Sequence, residues 1–199
     1  MYTRKITTDN LCFDLISSLT ISVASLCIAM MYTDDKTVKF SRGENVSLEG
    51  IATSKLIKFP LHGPLELALQ NLRPESIEFT IEDIQQSNIQ SNDLITVLKE
   101  TTDNIFSPYF VIFYENNFQL AKDKYGTNYS TWPETWRMAW AVRNALSHDG
   151  RIYFRDLNYQ PITWNNVTIS PENQNEEIRQ YINFADMVLL IFDMEDNLN

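Results

Sequence analysis

A mainly α-helical fold with small β insertions is what this sequence predicts, and three observations predict it. Residues 9–33, 92–124, 131–148 and 174–196 repeat their apolar positions at helical spacing. Seven prolines and five glycines in 199 residues are too few for a turn-rich all-β sandwich or barrel. An apolar fraction of 44% and a charged fraction of 21% are ordinary for a chain that buries a core, so wholesale disorder is excluded. The length suits one domain over 1–199, with 34–90 as a mixed α/β insertion.

Taken in order, Thr8-Asp9-Asn10 supplies cap chemistry before an apolar run, and a helix over 9–33 follows. Small strand or hairpin insertions are expected at 36–60, 76–81 and 151–169. Val38 and Phe40 alternate with lysines, Arg42 to Asn45 reads as a turn, and Val46-Ser47-Leu48 resumes the alternation. Pro64 suits the first turn of a short helix over 64–72, and 82–92 is polar enough for a loop. Ser107-Pro108 is expected to divide the next region into helices at 92–102 and 109–124, with Gly126 ending the second. Ser130 or Thr131 caps a helix running to His148, where Asp149-Gly150 stops it. Short strands then fit 151–155 and 161–169. A closing helix over 174–196 places Ile178, Ile182, Ala185, Leu189 and Phe192 on one stripe and its acids on a solvated face.

Leu15 to Met31 carries no charge, but its 17 residues only reach the bottom of the ~17–25 needed to cross a bilayer. Five serines and threonines dilute it, so a buried core helix is expected and no membrane contact. Cys12 and Cys27, 15 residues apart on that helix, would lie about 22 Å apart, too far to bond. Reduced thiols in a cytoplasmic protein follow. With two histidines and these cysteines there is no recognisable zinc site and no metal or cofactor is expected. Neither a phosphate-cradling glycine loop nor a Gly-x-Ser-x-Gly elbow occurs. His62 reads as a loop residue.

Net charge −10 argues against a general nucleic-acid coat protein. The charge is uneven, however. Residues 75–105 and 172–199 each hold seven acids and one base, whereas 137–155 holds Arg137, Arg143, Arg151 and Arg155 against Asp149 alone. On the helix over 131–148, Met138, Ala139, Ala141, Val142, Ala145 and Leu146 form a core face. The opposite face gathers Trp136, Arg137, Trp140, Arg143, Asn144, Ser147 and His148. Two tryptophans among polar residues suit an interface that also carries chemistry.

Arg143-Asn144-Ala145-Leu146-Ser147-His148 resembles the Arg-polar-x-x-x-His motif of the HEPN family of small helical domains. The likeness extends over 9–33 and 92–198 and leaves 34–90 unexplained. It implies a HEPN-like helical bundle, a homodimer, and metal-independent endoribonuclease chemistry with no cofactor. Under it, His148 is general acid or base, Arg143 holds phosphate, Asn144 positions one of them, and Ser147 supports. Trp136, Trp140, Arg137 and Arg151 belong to the dimer interface or contact RNA. The setting implied is a toxin or phage-defence effector with an RNA substrate and a protein antitoxin or regulator as partner. The alternative is a catalytically inactive HEPN-like dimerisation or ligand-binding module; outside the resemblance, His148 reads simply as a helix-terminal residue favourable to the macrodipole.

Overall fold

The computed structural model describes residues 1–34, 45–60, 63–84, 93–156 and 158–199. They fall into two compact units, Met1–Glu49 with Lys55–Ser87, and Gly50–Ser54 with Asn88–Asn199. The alternation read at Val38 and Phe40, most of the turn at Arg42–Asn45, and His62 lie outside the described residues.

The first unit overturns the expected fold class. Its centre is a four-stranded antiparallel sheet, so the molecule is mixed α/β and not a helical bundle with small β insertions. The strands are β1 (Tyr2–Thr7), β2 (Asn45–Glu49), β3 (Lys55–Pro60) and β4 (Ser76–Asp83), in the order β1-β4-β3-β2. The reason is period-2 burial. Ile77, Phe79 and Ile81 of β4 are enclosed, with Ile57 and Phe59 of β3, Ile6 of β1 and Val46 of β2. On the other face, Lys58 bonds to Glu82 at 2.8 Å, while Lys55 pairs with Asp83 at the end of the enclosed face. The β1 strand was hidden because only Ile6 of its residues is enclosed. A register pairing Ile6 with Ile77 completes the sheet.

Asn10 accepts from the Thr7 amide at 2.9 Å in a tight turn. Helix α1 (Phe13–Asp34) follows, starting later than read from the sequence. It buries Phe13, Ile16, Leu19, Val23 and Ala24, and it contacts α2 (Gly63–Leu69). Among the described residues no helix is long and apolar enough to cross a membrane. Cys12 and Cys27 form no disulfide, and partial burial raises the Cys27 thiol above its ordinary value.

Among the described residues, the second unit holds three α-helices. Helix α3 (Asp93–Tyr125) runs through Pro108, so the expected break at Ser107-Pro108 is corrected. Phe106, Phe110, Phe113, Tyr114 and Ala121 form an enclosed stripe on both sides of the proline. Several such side chains outweigh the ~3 kcal/mol that an interior proline costs. A 3-10 turn at Tyr129–Thr131, capped by Asn128, leads to α4 (Glu134–Ser147), which begins after Pro133. Among the described residues, the hairpin β5 (Ile162–Trp164) and β6 (Val167–Ile169) is the only strand pair within 151–169; Arg151 makes a single bridge with Glu177.

The closing helix α5 (Phe184–Leu198) starts ten residues later than its apolar stripe suggested. Asn183 and Asp186 form a reciprocal capping box that fixes this start. Residues 178–180 instead make a 3-10 turn, with Ile178 and Ile182 still enclosed. The acids were expected on a solvated face, yet Asp186 and Glu195 are fully enclosed. Asp186 accepts from the amides of Ala52 and Thr53 at 3.0 Å each and from the Thr53 hydroxyl at 2.8 Å. A Cβ on Gly50 would collide with Thr53 Oγ1 and with Asp186 Oδ1, which explains the glycine.

Candidate functional site

Helix α4 carries the expected residues because two local signals end it at the right place. The Ala145 carbonyl accepts from both the His148 and the Gly150 amides at 2.9 Å. Asp149 and Gly150 adopt left-handed backbone angles, φ 55° and 75°, that reverse the chain. His148 is therefore the residue at which the helix stops, with φ −122° and ψ 53°. It is exposed, and its ring lies 4.4 Å from that of Tyr153. The imidazole makes no hydrogen bond or ion pair among the described residues.

Arg143 is half-buried, and α3 supplies its partner. Its Nε donates to Glu115 Oε1 at 2.5 Å, and its Nη2 approaches the same oxygen at 2.5 Å. Nη1 donates to Asn144 Oδ1 at 3.3 Å. The second carboxylate oxygen of Glu115 has no hydrogen bond among the described residues. Around this pair is a recess of about 180 Å³ lined by Tyr114, Glu115, Phe118, Tyr129, Trp140, Arg143 and Asn144. His148 and Ser147 are not in its wall. The arrangement thus brings Arg143, Asn144 and Trp140 together and leaves the exposed Ser147 and His148 beyond them at the helix end.

The tryptophans divide in a way the helix face did not predict. Trp136 is fully enclosed, donates to the Met194 carbonyl at 3.2 Å and packs against Tyr114 and Trp132, so it is a core residue and not an exposed interface residue. Its ring meets Tyr114 of α3 and Met194 of α5, whereas Trp140, one turn later, packs against Phe154 and Tyr159. Trp140, only half-buried, stacks on Tyr159 with centroids 5.0 Å apart and planes 17° from parallel. Arg137 donates to the carbonyls of Gln160 and Pro161 and lies 5.9 Å from the Tyr159 ring. Arg151 is exposed and donates to the Asn175 carbonyl at 2.8 Å. Both arginines hold backbone, and neither lines the recess.

The residues that sequence reasoning missed come from α3 and the 3-10 turn. Tyr114 is 3% exposed, and its hydroxyl has no hydrogen-bond partner among the described residues. Leaving a buried hydroxyl unmade costs on the order of 1–3 kcal/mol. Burial pushes this phenol far above its ordinary value, with Tyr129 and Glu115 adding to the rise, so it stays a neutral donor. Burial and Glu115 raise Tyr129 as well. The Tyr159 hydroxyl is also enclosed without a partner among the described residues. The spacing of Tyr114, Glu115 and Phe118 was visible as one face of an aromatic-rich helix, but nothing in it pointed to Arg143. Among the described residues no group of histidine, cysteine or acidic side chains is placed to hold a metal ion. No protein-family model, curated protein or solved structure matches the chain.

Proposed function

We propose that the end of α4 is the catalytic edge of a metal-independent endoribonuclease that works as a homodimer in the cytoplasm. The observation that carries this reading is the state of His148. It sits five residues beyond Arg143 in the one basic window of an acidic chain, with its imidazole exposed and unbonded among the described residues. A histidine titrates near neutrality and can take or give a proton there. His148 removes the proton of a ribose 2′-hydroxyl, and that oxygen attacks the adjacent phosphorus. The bond from phosphorus to the 5′-oxygen breaks, leaving a 2′,3′-cyclic phosphate. The departing 5′-oxygen takes its proton from His148 of a second copy, since one imidazole cannot reach both sides of the phosphate. The Arg143 guanidinium, a planar fork suited to phosphate oxygens, leaves Glu115 to bind the substrate. Asn144 steers the guanidinium through their shared hydrogen bond. The likeness supporting this reading is carried by the motif at residues 143–148, and its setting is that of a toxin or defence effector held in check by a protein partner.

A second reading has its own observation. The Arg143–Glu115 pair already neutralises the guanidinium, and the recess it lines excludes His148. That favours a binding module without chemistry. Cleavage of a labelled structured RNA in a chelator separates the two. The nuclease reading expects cleavage to persist in the chelator and to fall by about 10²–10⁴ in His148→Ala. Arg143→Ala should lose it comparably, with folding and oligomeric state unchanged in both. Cleavage that is equal in wild type and both variants overturns the assignment.

A further inference from the structure

We propose that the recess beside Arg143 is a nucleobase pocket, taking one unstacked base of a single strand or of a free nucleotide. Three observations converge on that chemistry. The walls are aromatic. Phe118 lies between Tyr114 and Tyr129, at 5.9 Å from each, and Tyr129 lies 6.3 Å from Trp140. Trp140 is itself fixed by its stack on Tyr159, so the ring facing the recess is held in place. Every base has a flat π-face to lay against such rings.

The polar groups of the lining residues form a mixed set. Glu115 has an oxygen free to accept, Asn144 has an amide nitrogen free to donate, and Tyr114 holds an enclosed hydroxyl with no partner among the described residues. A base edge presents donors and acceptors side by side and can meet this set. An apolar guest would leave the Tyr114 hydroxyl unmade.

Charge decides against the competing guest, an organic cation. Aromatic walls with a carboxylate suit a cation, but here the carboxylate is already paired with a guanidinium at 2.5 Å. The pair leaves the recess close to neutral, without the net negative charge that would hold a cation. A neutral planar ring attached to a negative phosphate fits both halves of that description.

The inference shares Arg143 with the nuclease reading, but it is read by binding and needs no cleavage. Full-length protein is titrated by calorimetry with the four nucleoside monophosphates, with ribose 5-phosphate and choline as baseless controls, and with a short single-stranded RNA. At least one nucleotide should bind about tenfold tighter than ribose 5-phosphate, and Trp140→Leu should lose about that factor while Trp140→Phe keeps most of it. Tyr114→Phe should weaken the base while raising thermal stability, an opposition that a merely structural tyrosine would not produce. RNA binding much tighter than any free nucleotide would assign the pocket to a base within a strand; equal affinity would assign it to a free nucleotide. Ribose 5-phosphate binding as well as the nucleotides, choline binding better, or no nucleotide binding at all overturns the inference. Base binding by a wild-type protein that cleaves no RNA, or cleaves it equally in His148→Ala, would sink the nuclease reading alone, and cleavage with no base binding would sink this one alone.

Discussion

Asp186 and the recess at Arg143 belong to the same helical unit and treat their polar atoms in opposite ways. Asp186 is fully enclosed, and its carboxylate accepts from Ala52, from Thr53 twice and from the Asn183 amide. At the recess, Arg143 and Glu115 keep 34% and 45% of their side chains exposed, and the one deeply enclosed group, the Tyr114 hydroxyl, has no partner among the described residues. Asp186 has no bonding capacity left for a ligand. The recess does. Burial alone would pick Asp186 as the candidate; the number of bonds left to make picks the recess.

The largest effect that sharpens this contrast is expected at Asp186. Replacing it with alanine leaves the Ala52 and Thr53 amides unpaired and removes half of a capping box. Urea unfolding should report a loss of about 3 kcal/mol, and Asp186→Asn, which keeps one acceptor oxygen, a smaller one. Nucleotide binding by the fraction still folded should be unchanged; a change there would erase the distinction between the two clusters.

Tyr114→Phe is expected to act in the reverse sense. Removing an unpartnered hydroxyl should stabilise by about 1 kcal/mol. The pH dependence has a definite sign. The folded phenol titrates above its unfolded value, so the unfolded chain releases this proton first and stability falls as pH rises past about 10. Thermal melts at rising pH should show a shallower alkaline decline in the variant. A steeper decline, or destabilisation at neutral pH, would mean that the hydroxyl has a partner after all.

The smallest effect belongs to Glu115→Gln. A pair this exposed contributes under about 1 kcal/mol to folding, so the melting temperature should barely move. Inorganic phosphate, which must displace the carboxylate to reach Arg143, should bind more tightly. Unchanged phosphate affinity in a phosphate titration would show that Arg143 is not the anion's partner.

Much of the second unit was legible because its helices announce themselves. The Asp149-Gly150 stop, the core face of α4 and the aromatic run of α3 are all local signals, and they place Arg143 and His148 where the reading put them. What could not be read was non-local. The first strand has one enclosed residue, so only its partner β4 reveals it as a strand. Trp136 and Trp140 lie one turn apart on one helix, and only the covering by α3 and α5 makes one of them core. Glu115 reaches Arg143 from 28 residues away, and Asp186 looks like any other acid until the segment it binds is folded against it.

Ala52 and the carboxylate that binds its amide are 134 residues apart in the chain. At the ribosome's ~5–20 residues per second, the segment around Ala52 is made on the order of ten seconds before Asp186 exists. Through that interval water must serve its amides. The completion of the second unit is therefore timed by synthesis, and slowing translation between these positions lengthens the life of a half-made protein without altering a single native contact.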